Sequence, residues 1–275
     1  MMWNGFEADT MMLSAYSRLR ADGYTGPVVL DSEDTDVYVQ AAYVSHQVDG
    51  QLLIKRKQDL ISCSSMLSNE VANIIIPLHV ISGSDHTSGF YGCDKKRLLQ
   101  KIINDPAARD LLSMVGASTE CREEVKTDMK SFVLSKMYSA NFGSTCAEAR
   151  ATKWRTMKKK NTVRLPPDDD SLNHHLDRVN FISFCQMHYD LLEHPSLINN
   201  GWEIKDGRCR PVGYSRPPLP YQFSSPAGVE DSDSSSDSDC DSEQDSDMSE
   251  ESDVDDSFMI TIITCVDFLS RSHVL

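Results

Sequence analysis

The stretch Val28-Val29-Leu30-Asp31-Ser32-Glu33-Asp34-Thr35-Asp36-Val37 joins a short, wholly apolar run to a cluster of acids. A fully apolar strand of that kind is usual in a sheet covered by helices on both faces, so residues 28–30 predict an α/β fold. Upstream, residues 8–20 carry Met11, Met12, Ala15, Tyr16 and Leu19 at helical spacing, and Asp22-Gly23 and Gly26-Pro27 end that helix before the strand. Downstream, residues 37–46 fit helix or strand by periodicity, and residues 51–57 (QLLIKRK) read as a second strand. Residues 74–81 form a second apolar run that leads into Ser82-Gly83-Ser84-Asp85.

Beyond residue 95 the pattern turns helical (KKRLLQKIINDPAARDLLSMV), with a break expected at Pro106, and helix continues weakly through 122–140. Residues 150–164 are basic: Arg150, Lys153, Arg155, Lys158, Lys159, Lys160 and Arg164, with Trp154 among them. After Leu165-Pro166-Pro167, residues 171–192 read as another helix, with Leu172, Leu176, Val179, Phe181 and Phe184. Residues 195–228 are rich in Pro and Gly and read as irregular, with an isolated Trp202.

Charge divides the 275 residues sharply. The net charge is −15, yet residues 1–229 hold 26 Lys and Arg against 27 Asp and Glu. Residues 230–256 hold 14 Asp or Glu, nine Ser and no Lys or Arg, a composition that predicts disorder and reads either as a solubilising low-complexity tail or as a segment that binds basic proteins or competes with nucleic acid for residues 150–164. The alternating Ser and acids suit acid-directed kinases, and each phosphate adds about −1.5 to −2 charge. No apolar run reaches the roughly 18–20 residues of a membrane helix. The opening residues lack a signal peptide's basic end and apolar stretch. Eight scattered cysteines without a CxxC pair point to reduced thiols, so an intracellular, membrane-free protein is expected. The basic stretch reads as a plain solvated helix, as a track for a phosphate backbone or as a nuclear import signal.

The acids of the body fall in three clusters: Glu7 and Asp9 at the start of the first helix, Asp34 and Asp36 beyond the apolar strand, and Asp85 after the second apolar run. In an α/β sheet these positions meet along one edge. Two carboxylates about 4 Å apart repel by roughly 4 kcal/mol at an effective dielectric near 20, so convergence calls for protonation or a hard cation. Mg²⁺ or Mn²⁺ suits oxygen-only ligands, and a metal pair supports phosphodiester hydrolysis. Each cluster also has a plainer reading, Glu7 and Asp9 as first-turn helix charges and Asp34 as an N-cap.

In order and spacing, FEADT (6–10), VVLDSEDTDV (28–37) and ISGSDHTSGFYGCDKK (81–96) resemble the internal motifs of the flap-endonuclease (XPG-type) branch of PIN-like nucleases. The similarity extends to uncharacterised animal chains related to mobile elements, in which EADT, DTDV and a GCDTTS-like motif recur. The resemblance implies a partial PIN-like parallel sheet flanked by helices, a helical region after it and the acidic tail. It further implies Glu7, Asp9, Asp34, Asp36 and Asp85 as ligands of Mg²⁺ or Mn²⁺, with Asp34, Asp36 and Asp85 catalytic, and DNA as substrate. Lys95, Lys96 and Arg97 follow the family's DNA-gripping turn and, with Lys153, Arg155, Lys158, Lys159 and Lys160, are the expected nucleic-acid contacts.

Two departures matter. The family's G-x-G-K-like turn reads here Gly89-Phe90-Tyr91-Gly92-Cys93-Asp94-Lys95-Lys96, and Asp94 sets a negative charge where phosphate would lie. Two further aspartates of the family sit on strands before the first helix, and their absence predicts a fragment or a decayed copy. The expected divisions are a PIN-like part over 1–115, a helical and irregular part over 116–228, the tail at 229–256 and an apolar end at 257–275. The expected function is metal-dependent, structure-selective phosphodiester hydrolysis. The alternative is a non-enzymatic relic that binds nucleic acid or protein through its basic segment and acidic tail.

Overall fold

The computed structural model of the protein describes residues 8–141, 143–191 and 195–212. Helix α1 (Ala8–Ala21), strand β1 (Val28–Asp31), helix α2 (Thr35–Val44), strands β2 (Leu52–Arg56) and β3 (Asp59–Ser62) and helix α3 (Asn69–Ser82) come first. Helices α4 (Lys95–Ile103), α5 (Pro106–Ser113), α6 (Glu123–Phe132), α7 (Cys146–Thr156) and α8 (Asp169–Met187) follow. A hairpin of β4 (Trp202–Lys205) and β5 (Arg208–Pro211) closes the described chain. The class is mixed α/β, with helices dominant.

The sheet corrects the all-parallel expectation. Strands β1 and β2 pair in parallel, with Leu30 opposite Ile54, but β3 returns antiparallel, with Ile61 opposite Ile54. Only two residues, 57 and 58, separate β2 from β3, and Lys57 adopts a φ of 54°. So short a turn allows only an antiparallel return. Strand β1 is an edge of the three described strands and is covered on one side: Leu30 is buried while Val29 is 45% exposed.

The ambiguous 37–46 stretch is helix α2. Asp34 caps it, its carboxylate accepting the Asp36 N–H at 2.9 Å, and every residue from Asp36 to Ala42 is buried. The second apolar run is also helical. Ile74, Ile75, Ile76, Leu78, Val80 and Ile81 of α3 are almost fully buried, and the helix packs on α2, α4, α5 and α8. A helix apolar on all sides is a core helix, and its eight-residue apolar core has no periodicity to separate it from a buried strand.

Pro106 ends one helix and starts the next as expected. It stands in the first turn of α5, where Asp105 accepts the Ala108 N–H at 3.0 Å. The 195–228 stretch is not wholly irregular, because Asp206 (φ 53°) and Gly207 (φ 69°) turn β4 into β5. The core is continuous across residue 115, running from Leu13 and Tyr16 of α1 through α3 to Val179 and Phe181 of α8. Asn180, 2% exposed, fastens the α5–α6 connection to α8. Its Oδ1 accepts the Gly116 N–H at 2.9 Å and its amide donates to the carbonyls of Ser118 (2.9 Å) and Thr119 (3.2 Å). No helix among the described residues is long and apolar enough to cross a membrane. The expected tail and apolar end, 229–275, lie outside the described residues.

Candidate functional site

Asp36 is the centre of the acidic edge. It sits in the first turn of α2 and is 6% exposed, because the burial of the following turn on α3 draws it inward. There the His79 Nε2–H donates to Asp36 Oδ1 at 2.7 Å, and His79 is itself only 1% exposed. Burial alone would raise the Asp36 pKa. The hydrogen bond and charge of His79, followed by the charges of His86 and Lys95, outweigh it and hold the carboxyl below its ordinary value.

The same contacts draw the motif segments together. Helix α1 meets α2 through the Thr10 hydroxyl, which donates to Gln40 Oε1 at 3.5 Å one turn beyond Asp36. Gln40 is 1% exposed, and its amide nitrogen has no hydrogen-bond partner among the described residues. Helix α3 supplies His79 and runs into a tight turn with Asp85 and His86 at its tip. Ser84 N–H donates to the Thr87 carbonyl at 3.0 Å, Thr87 N–H to the Ser84 carbonyl at 3.2 Å, and the Thr87 hydroxyl to the Val80 carbonyl. Gly83 is required here: its φ is +117°, and a Cβ would lie 2.8 Å from the Gly89 Cα.

The residues singled out by sequence fare differently. Asp36, Asp34 and the Asp85 turn come to the α2 end of the structure, and Asp9 adjoins the Thr10 contact. Glu7 lies outside the described residues. Asp34 is exposed and is the helix cap of its plainer reading. Among the described residues no group of three or more His, Cys, Asp or Glu side chains is placed to hold a metal. Of these carboxylates, that of Asp34 caps a helix and that of Asp36 is bound by an imidazole. His79 was not among the residues singled out by sequence, yet it binds the acidic edge. His175 is buried as well, 6% exposed, its pKa pushed down to about 4 by burial.

The turn that the resemblance marks as the DNA grip has internal partners as well. Asp94 caps α4 by accepting the Arg97 N–H at 2.7 Å, which takes up a backbone donor a phosphate would need. The Cys93 thiol beside it is pushed up by burial and the Asp94 charge, away from nucleophilic use.

The basic stretch differs from the rest of the surface. Several cations elsewhere are paired, Lys55 with Asp31, Lys126 with Glu123 and Asp177, Lys130 with Asp169 and Lys136 with Asp105, while the basic stretch gathers five cations within eight residues. Lys153, Arg155, Lys158, Lys159 and Lys160 are all exposed, and no ion pair engages them among the described residues. The helix that starts the stretch is held by a Thr145–Glu148 capping box, and the Arg150 guanidinium donates to the Pro166 carbonyl. Lys160 lies 5.5 Å from the Trp154 ring centroid. Arg164 stands over the ring of Tyr91, 5.4 Å from its centroid, which places the end of the basic stretch against the loop that leads to α4. Comparison with protein-family models, curated proteins and solved structures finds no match for the chain.

Proposed function

We propose that this protein binds nucleic acid on a scaffold of flap-endonuclease type, and that its acidic edge has become structural. The supporting observation is the contrast between the two charged regions. Asp34 and Asp36 have intramolecular partners, whereas five exposed cations have no carboxylate partner among the described residues. Cations left unneutralised in one short stretch favour phosphate, because each contact releases counterions from the nucleic acid. Trp154 and Tyr91, each under a cation, add aromatic faces beside that track. Binding of this kind is sequence-tolerant and strongly salt-dependent.

Hydrolysis is the second reading, favoured by the convergence of the acid-bearing segments on α2 and by the motif order. It requires Mg²⁺ or Mn²⁺ held by Asp36 with Asp85, Asp9, Asp34 and Glu7, and would demand release of the Asp36 carboxylate from His79.

One experiment separates the two. Labelled branched DNA is titrated with the full chain and with a variant carrying Lys153, Arg155, Lys158, Lys159 and Lys160 all changed to Gln. The variant is expected to bind at least tenfold more weakly. Its salt dependence should be shallower, the log–log slope falling by about 0.9 for each phosphate no longer neutralised. Product formation in Mn²⁺ is expected to be the same for the wild type and Asp36→Asn. Unchanged affinity of the five-site variant would overturn the binding surface, and Mn²⁺-dependent cleavage abolished by Asp36→Asn would establish hydrolysis instead.

A further inference from the structure

We infer that the chain's own acidic segment, residues 230–256, docks on the cationic surface of residues 153–160 and occupies it in the absence of nucleic acid. Charge complementarity is the first argument. The body is balanced, 26 basic against 27 acidic residues over 1–229, so the segment's 14 carboxylates find no neutralising excess in the body as a whole. What the fold offers is a dense local cluster, Lys153, Arg155, Lys158, Lys159 and Lys160, five exposed cations within eight residues that no ion pair engages among the described residues. At physiological salt the screening length is about 8 Å, so attraction acts only at near contact and favours the densest cluster of cations over scattered single lysines.

The tether is the second argument. The described chain ends at Val212, whose N–H donates to the Gly201 carbonyl at 3.0 Å. That carbonyl also accepts from Arg178 of α8 at 3.2 Å, which fixes the hairpin on the middle of α8. Arg178 lies nine residues after the start of α8 at Asp169, about 14 Å along the axis at 1.5 Å per residue. The start of α8 is in turn joined to α7 by the Arg150–Pro166 bond. The 17 residues from 213 to 229 have a contour of up to about 55–60 Å. The acidic segment therefore begins within easy reach of the basic surface, and the contact is intramolecular, insensitive to dilution.

This docking shares its surface with the binding proposed above but does not depend on it. Nucleic acid and the acidic segment compete for the same cations, so affinity for DNA is set by how well the segment is displaced. Phosphate on any of its nine serines would deepen the competition.

The test is carbodiimide cross-linking of the full chain, freed of nucleic acid, with the joined residues mapped by mass spectrometry. Links from 230–256 are expected to concentrate on Lys153, Lys158, Lys159 and Lys160 and to fall at least fivefold in about 1 M salt, where screening shortens to about 3 Å. Lys205, exposed in β4 beside the tether, and Lys57, exposed at the β2–β3 turn, serve as controls for mere proximity and exposure. Links spread evenly over Lys57, Lys205 and the basic stretch, or unaffected by salt, would overturn the inference. No nucleic acid is present, so failure of DNA binding and failure of docking are read separately.

Discussion

Replacing His79 by Ala should lower the stability of the protein by about 3–5 kcal/mol, the usual cost of stranding a buried charge by removing its partner. At about 2–4 °C per kcal/mol for a chain of this size, the melting temperature falls by roughly 10 °C. The cause is the Asp36 carboxylate, which keeps its burial and loses the 2.7 Å donor that offsets it. Asp36→Asn is milder, about 1–2 kcal/mol, because it removes the charge together with most of the desolvation cost. The acid limb of the stability curve carries the sign. The folded-state pKa of Asp36 is depressed, so its contribution is fully present above the unfolded carboxyl value of about 4 and is lost as pH falls below that, through the folded value. In His79→Ala burial acts alone and raises the pKa. The wild-type and variant curves should then diverge most near neutrality and approach each other in acid. Parallel curves, or a loss under 1 kcal/mol, would contradict a charged, partnered Asp36.

Asn180→Ala should cost about 3 kcal/mol and open the α5–α6 connection to proteolysis. One side chain satisfies three backbone groups there, the buried Gly116 N–H and the part-buried carbonyls of Ser118 and Thr119, and truncation strands the Gly116 N–H while leaving the two carbonyls to water. Each unsatisfied buried group costs about 1–3 kcal/mol, moderated by whatever water enters. Asn180→Asp keeps the acceptor for Gly116 but points a carboxylate at two carbonyls, so it should be no better tolerated. Gly116 has a φ of +80°, and a Cβ would meet the Ser183 and Phe184 backbone at 3.0 Å, so the loop has no alternative seat. Thermal melting and limited proteolysis between residues 116 and 122 measure the effect. A melting temperature within a degree of wild type would show that the loop is held by something else.

What could be read in advance was local. The helix over 8–20, the strand at 28–30 and the break at Pro106 rest on spacing, turn residues and a missing N–H, all within a few residues of the element itself. Helix α3 escaped because so short a mainly apolar run has the same appearance in a buried strand. The Asp206-Gly207 hairpin was marked by a strong turn pair, but it lies in a stretch whose Pro and Gly content obscured it. The site shows the same division. The carboxylates were visible, whereas their fates depended on tertiary neighbours: His79 is 43 residues beyond Asp36 and reaches it only because α2 packs on α3. A lone histidine inside an apolar helix was the available sign, since so buried an imidazole needs a partner. Likewise the basic stretch was plain in sequence, but its lack of carboxylate neighbours is a property of the folded surface.

The most direct test is the ¹⁵N-edited NMR spectrum of the His79 ring. A structural Asp36 gives a downfield Nε2–H resonance, protected from exchange, that neither moves nor broadens when Mg²⁺ is raised to millimolar levels. Loss or displacement of that signal on adding Mg²⁺ would mean that the carboxylate leaves the imidazole for the metal, and the acidic edge would have to be read as a hydrolytic centre.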